Sequence, residues 1–190
     1  MEPNENDTTL ITTTKTITLP TSTRHTSAVS TSNNKAKRVI TTKKKWMFSN
    51  SELFLDKQFE YIENIYKNDI SKENQHTCNI ILQQIYQKVY GYKIQDQHKG
   101  LFDIAKFVDV ACVIEKMMDC ENRCFYCKNQ VHVLYEYVRE PRQWTLERID
   151  NDFGHNKDNT VIACLSCNLH RRTMYHERYA FTKQMVITKT

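Results

Sequence analysis

The sequence contains very little glycine and proline, with three residues of each among 190, well below average usage. Gly91, Gly100 and Gly154 stand far apart, so neither a GxGxxG motif nor a phosphate-binding GxxxxGK[ST] loop can be formed. The sequence also lacks the run of about 18 apolar residues that a membrane helix needs and the pattern of a secretory signal peptide. We therefore expect an intracellular protein of the cytoplasm or nucleus with no membrane partner.

Positive charge is concentrated towards the N-terminus of a chain with a net charge of +5. Residues 1–45 hold eight basic and three acidic residues, together with thirteen Thr and four Ser. Such a composition cannot bury enough apolar surface to offset the entropy of ordering. We predict a disordered tail over residues 1–45. Its basic end, which includes Lys43, Lys44 and Lys45, either binds phosphates, serves as a nuclear-import signal or is simply solvated.

Residues 46–122 show apolar side chains at helical spacing. The pattern predicts a first helix behind Ser51, a second before Gly91, and a third over residues 101–117 that is buried nearly all round. Three helices joined by short links favour a bundle that serves as a scaffold or as a homodimer interface. The apolar positions are Leu53, Phe54, Tyr61 and Ile65; then Ile80, Ile81, Ile85 and Val89; then Leu101, Ile104, Ala105, Val108 and Cys112.

Beyond residue 122 the pattern changes from helical spacing to alternation. Residues 131–138 alternate and residues 144–149 are extended, which predicts a β-hairpin. A loop over residues 151–155, a short strand over 160–163 and a helix from Ser166 to about Arg178 follow.

Two CxxC pairs carry the strongest chemical signal. Cys124 and Cys127 form the first pair, and Cys164 and Cys167 form the second after 36 intervening residues. Four thiolates from two tight turns are the ligand set that tetrahedral zinc prefers, and they leave no open position for water. We predict one structural zinc ion, with Cys120 as a spare thiol. A redox role is disfavoured because no thioredoxin-like βαβ pattern surrounds either pair.

The residues around the second pair form an ordered motif of strand, loop, Asn and CxxC: Trp144–Asn151, Gly154-His155, Asp158-Asn159, Cys164–Asn168 and Arg171. This motif resembles the HNH, or His-Me finger, nucleases, and its zinc-bracketed form is similar to their endonuclease VII branch. The match covers roughly residues 123–175. It implies an α+β protein in which the disordered tail and the helical region precede a zinc-stapled ββα-metal domain over residues 123–190.

The resemblance also implies a divalent cation at the end of the first strand. The family's metal-binding positions fall on Glu147 and Asn168, and the Asn that ties the loop together falls on Asn159. Carboxylate and amide oxygens suit Mg²⁺ or Mn²⁺, which keep further positions for water and phosphate.

The family's general-base His falls on Arg148, which stays protonated and cannot accept a proton near neutral pH. A planar guanidinium can instead clamp the scissile phosphate. Three alternatives remain: His155 in the loop acts as the base, Asp150 on the strand face of Arg148 acts as the base or as a second metal ligand, or the site is inactive.

Basic residues of the last predicted helix complete the expected site. Arg171, Arg172 and Arg178 would lie against a nucleic-acid backbone and position it without reading sequence. The sequence thus favours a metal-dependent DNA endonuclease that hydrolyses phosphodiester bonds, with RNA a less favoured partner. The alternative is a catalytically inactive, zinc-stabilised nucleic-acid-binding module. The low glycine content and abundant Lys, Asn, Ile, Thr and Tyr suggest AT-rich coding, as in a virus or mobile element.

Overall fold

The computed structural model describes residues 46–185. The predicted tail, with Lys43, Lys44 and Lys45, lies outside the described residues. The expected α+β class is confirmed, and no helix in the described range has an apolar stretch long enough to span a bilayer. The elements in chain order are α1 (Leu55–Lys67), α2 (Gln75–His98), α3 (Val110–Asp119), β1 (Trp144–Arg148), β2 (Thr160–Cys164), α4 (Leu165–Arg171) and α5 (His176–Gln184).

Helix α2 is longer than its apolar pattern predicts, because it continues through Gly91 to His98. A glycine inside a helix costs only about 1 kcal/mol relative to alanine, which tertiary packing can offset. The extra turns carry Tyr92 and Asp96 towards the loop that precedes β2. This extension therefore brings α2 to the predicted site.

Helix α3 is shorter than predicted, since the chain is helical from Val110 and not from residue 101. Asp109 caps the helix by accepting a hydrogen bond from the Cys112 N–H at 2.8 Å. The preceding residues bond to the loop before β2 instead: the Val108 N–H donates to the His155 carbonyl at 3.0 Å. Local capping and loop pairing thus replace the expected N-terminal turns.

Residues 131–138 do not form the predicted strand. The side chain of Gln58 on α1, which is 1% exposed, accepts hydrogen bonds from the Val133 and Leu134 N–H groups at 2.9 and 3.0 Å. A helix side chain therefore supplies two of the hydrogen bonds that a partner strand would make, and His132 forms an isolated bridge with Gln143. The partner of β1 is β2, and the antiparallel register runs from Trp144 opposite Cys164 to Arg148 opposite Thr160.

The single helix expected from Ser166 to Arg178 is broken into α4 and α5. Arg172 adopts a φ of 53°, which ends α4, and α5 begins four residues later at His176. The change of direction lets Tyr179 pack edge-on against Tyr126, with ring centroids 4.9 Å apart. The second helix therefore covers the side of the molecule that carries the cysteines.

The three long helices and the cysteine-bearing segment contribute to one buried cluster. Ile62, Ile81 and Met117 belong to this cluster, together with Trp144 and Ile162 from the strands. The sheet therefore packs against the helices. The boundary expected between residues 122 and 123 stays a prediction.

Candidate metal centre and adjacent cleft

The first cysteine pair lies in a tight turn that is fastened to the sheet. The Lys128 N–H donates to the Cys124 carbonyl at 3.0 Å, and Lys128 takes the left-handed conformation that closes the turn, with a φ of 58°. The Phe125 N–H donates to the Ile162 carbonyl at 2.8 Å. Both thiols of this pair are thereby held beside the end of β2.

The second cysteine pair forms the junction of β2 and α4. Cys164 is the N-cap of α4, and its sulfur accepts a hydrogen bond from the Cys167 N–H at 3.4 Å. The strand-to-helix turn thus presents both sulfurs on one side. This side faces the turn formed by the first pair.

The four predicted zinc ligands, Cys124, Cys127, Cys164 and Cys167, form a cluster that could hold a metal ion, with all sulfurs within 4.8 Å of one another. A zinc–sulfur bond of about 2.3 Å gives tetrahedral edges of about 3.8 Å, and the Cys127 and Cys164 sulfurs are 4.0 Å apart. The neighbouring Cys164 thiol lowers the pKa of Cys124, so one thiolate is already favoured there. Cys120 lies outside the cluster and points to the Met117 carbonyl at 3.6 Å.

Asn159 organises the loop between the strands. Its Nδ2 donates to the carbonyls of Asp150 and Gly154 at 2.9 and 3.0 Å, and its Oδ1 accepts from the Asp150 N–H at 2.9 Å. The Ile149 N–H donates to the Asn159 carbonyl. One side chain therefore joins the start, middle and end of the loop.

Glu147 lies near the end of β1 and is paired with Arg171. The side chains are 7% and 2% exposed, and Arg171 Nη1 donates to Glu147 Oε1. Arg171 also donates to the carbonyls of Arg148 and Ile149 at 2.6 and 2.7 Å. Burial raises the pKa of Glu147, and the Arg171 guanidinium opposes this shift. The expectation that Arg171 faces a nucleic-acid backbone is wrong, because its guanidinium is committed to the strand end.

Arg148 and Asp150 both support the loop, but in different surroundings. Arg148 Nη1 donates to the carbonyls of Asn151 and Phe153 at 3.1 and 3.0 Å. Asp150 is exposed, and its Oδ1 accepts from the Asp152 N–H at 2.9 Å. The hydrogen bonds of Arg148 to the loop use Nη1, whereas the Asp150 carboxylate caps the turn.

Asn168 follows the second cysteine pair in the first turns of α4. Its Nδ2 donates to Thr145 Oγ1 at 3.2 Å and points to the Leu146 carbonyl at 3.5 Å. These contacts with β1 occupy the amide nitrogen. The amide oxygen is thereby the atom left for another ligand.

His155 is held by an acidic residue of α2. Its N–H donates to Asp96 Oδ2 at 2.6 Å, and its Nδ1 lies 2.8 Å from Asp96 Oδ1. The two residues are 5% and 0% exposed. The Tyr92 ring stacks on the imidazole, with centroids 4.4 Å apart. His155 is thus not a solvent-exposed loop histidine.

A cleft of about 410 Å³ gathers five of the predicted residues: Glu147, Arg148, His155, Asn168 and Arg172 are all on its wall. Asp150 and Asn159 support the loop behind this wall and do not line the cleft. Carboxylate, amide, imidazole and guanidinium groups therefore converge on one concave surface, next to the helix that begins at the second cysteine pair.

The remaining predicted basic residues differ in their surroundings. Arg172 is exposed and lines the cleft, and Arg178 is exposed on α5. Lys99, at the end of α2, was not predicted but lines the cleft as well. The cleft therefore has a cationic rim, which is formed by Lys99, Arg148 and Arg172 from three parts of the chain.

Asp96 is the residue that sequence reasoning missed. The sequence held one signal for this residue, since Asp96 continues an apolar face of the helix. Tyr92 lies seven residues after Ile85, and Asp96 lies four residues after Tyr92. Residues at this spacing lie on one face of a helix. A carboxylate on a face that enters the core needs a buried partner.

Comparisons of the chain with protein-family models, with curated proteins and with solved structures found no match.

Proposed function

We propose that this chain is a metal-dependent DNA endonuclease of the HNH type that hydrolyses phosphodiester bonds in the cleft. The observation that carries the proposal is the convergence of Glu147, Arg148, His155 and Asn168 on one wall. The order of strand, loop, strand and helix with cysteines at both ends also agrees with a zinc-bracketed ββα-metal unit. Fold and chemistry thus favour the same function.

Zinc in the four-cysteine cluster has a structural role in this proposal. Four thiolates fill the tetrahedron and leave no position for a reacting water. The ion joins the turn at Cys124 to the β2–α4 junction at Cys164, which carries Asn168 four residues later. Zinc therefore fixes the position of α4 relative to the strands.

The donor set of the cleft fits a second, harder cation. Glu147 offers a carboxylate, of which Oε1 accepts from Arg171, and Asn168 offers its amide oxygen. Two such oxygens suit Mg²⁺ or Mn²⁺, which retain water and phosphate as further ligands. A bound cation would supply charge neutralisation at the phosphate and would favour deprotonation of water.

The chain's own residues account for binding and proton transfer. Arg172 and Lys99 attract the phosphate backbone, and the free guanidinium nitrogens of Arg148 orient the scissile phosphate. His155 accepts the proton of the attacking water, and its position on the wall makes it a better base than Asp150. The phosphorus–oxygen bond to the leaving strand breaks as the new bond forms, and water returns a proton to the leaving oxygen.

Two observations favour the alternative of a non-catalytic binding module. Glu147 is engaged by a buried Arg171, and Arg148 replaces the usual base of the resembled family. A site reduced to ion pairs would bind DNA through its cationic rim and would cut nothing.

Cleavage of supercoiled, linear, single-stranded and four-way-junction DNA with Mg²⁺ or Mn²⁺ tests the proposal. We expect cation-dependent cleavage that Asn168→Ala reduces at least about 10²-fold, because the amide oxygen is lost while alanine suits the helix. His170→Ala is the matched control on the exposed side of α4 and should retain activity. DNA binding without cleavage of any of these substrates would reject the nuclease and leave the binding module.

A further inference from the structure

Asp96 places a buried carboxylate in the last turn of α2, where a negative charge is unfavourable. The C-terminal end of a helix carries partial negative charge, and complete burial removes the hydration of the carboxylate. Asp96 is 0% exposed, yet both of its oxygens accept hydrogen bonds from His155, at 2.6 Å from the backbone and 2.8 Å from the ring. Both oxygens of the Asp96 carboxylate therefore bind the same residue, His155.

These contacts fix the ring of His155 in two directions. Asp96 holds the Nδ1 edge, and the Tyr92 ring covers one face at an interplanar angle of 28°. An ionised carboxylate only accepts hydrogen bonds, so in the neutral imidazole Nδ1 carries the proton and Nε2 does not. The same carboxylate–histidine arrangement sets the tautomer of metal-binding and catalytic histidines generally.

We infer that Asp96 is a positioning residue for catalysis, which holds His155 in the tautomer whose Nε2 accepts a proton from water in the cleft. The inference rests on the proposed nuclease function, because a base is required only if the cleft is catalytic. It extends the active site to α2, which lies outside the ββα segment.

The charges around His155 agree with a base that is neutral near pH 7. Burial lowers the pKa of His155, the Asp96 carboxylate opposes that shift, and the Arg148 and Lys99 cations reinforce it. A base must be unprotonated to act. Activity should therefore rise with pH through a value below the ordinary histidine pKa of about 6.5.

Nitrogen-15 NMR of histidine-labelled, zinc-loaded full-length protein tests the tautomer without any substrate. The signal of His155 is assigned by its loss in His155→Gln. The inference predicts a protonated Nδ1 and an unprotonated Nε2. A protonated Nε2 with an unprotonated Nδ1 in the unmutated protein would overturn it, whatever the protein cleaves.

The Asp96→Asn variant tests the role in turnover. The asparagine amide donates to Nδ1, so the ring proton should move to Nε2 and cleavage should fall about 10²–10⁴-fold, the usual contribution of a positioned base. Loss of the carboxylate also lowers the pKa of His155, which should shift the rising limb of the pH–rate profile to lower pH. Asp109→Asn, outside the cleft, is the charge-matched control and should change neither tautomer nor profile.

A purely structural role for Asp96 gives a different result. Asp96→Asn would then lower thermal stability but would leave the tautomer and the pH profile of the remaining activity unchanged, which would overturn the inference. If the unmutated protein shows the protonated Nδ1 but cuts no DNA, the Asp96–His155 pairing stands while its catalytic role and the proposed nuclease function are rejected together.

Discussion

Arg171 and Arg172 are adjacent in sequence, but the structure assigns them opposite roles. Arg171 is buried and donates to Glu147 Oε1 and to two carbonyls at the end of β1. Arg172 is exposed on the wall of the cleft. The same substitution to glutamine at each position therefore separates a structural arginine from the proposed phosphate contact.

We expect Arg171→Gln to lower the free energy of unfolding by about 3–5 kcal/mol, because it leaves the buried Glu147 carboxylate without its counter-charge. Typical domains have only about 5–15 kcal/mol of stability, so a milder variant is useful. Arg171→Lys keeps the charge but replaces the planar fork, whose Nη1 and Nη2 reach different acceptors, by one ammonium nitrogen. Losing one hydrogen bond of a charged group should cost about 1.5–3 kcal/mol.

Arg172→Gln should change stability by less than about 0.5 kcal/mol. It should instead reduce the slope of log affinity against log salt by about 0.9, the value for one lost phosphate contact. Urea denaturation of the zinc-loaded protein gives the stabilities, and fluorescence anisotropy with labelled DNA gives the slopes. The reasoning fails if Arg171→Gln is as stable as the unmutated protein and loses the same salt slope as Arg172→Gln.

Two further pairs of substitutions test the candidate metal centre and the loop. The purified protein should contain one zinc ion per chain by elemental analysis. Cys164→Ser should lose the ion and unfold at lower temperature, whereas Cys120→Ser should keep it. Two zinc ions or none in the unmutated protein would contradict the assignment. Gly154→Ala should cost about 1–3 kcal/mol, because its Cβ would lie 2.5 Å from the Leu101 carbonyl oxygen and 2.8 Å from Asp96 Oδ2. Gly91→Ala, whose new Cβ would meet no atom within 4 Å outside its own stretch of helix backbone, should gain about 0.5–1 kcal/mol by thermal denaturation. Equal effects at the two glycines would refute the close approach.

Periodic sequence patterns predicted the helices and strands in which buried and exposed positions alternate regularly. The apolar face of α2 and the short strand β2 follow directly from such patterns. The clustering of the CxxC pairs was also predictable, because spacing alone brings each pair into one turn. Local pattern therefore predicted the first two helices and the candidate metal centre.

Contacts between distant residues account for what the patterns missed. Residues 131–138 alternate like a strand, but Gln58, 75 residues away from Val133, accepts the hydrogen bonds of the Val133 and Leu134 N–H groups. His155 is likewise held by Asp96 from 59 residues away. Arg171 reads as a surface cation until its packing against β1 is known. Partners so far apart in sequence leave no local periodic signal.

The measurement that tests the central claim most directly is anomalous diffraction from crystals of the zinc-loaded protein soaked in Mn²⁺. A catalytic cation site predicts a manganese peak in the cleft within coordination distance of Glu147 and Asn168, and no such peak in crystals of Asn168→Ala. Manganese density confined to other surfaces, with this position unoccupied at saturating Mn²⁺, would contradict a metal-dependent nuclease at this cleft.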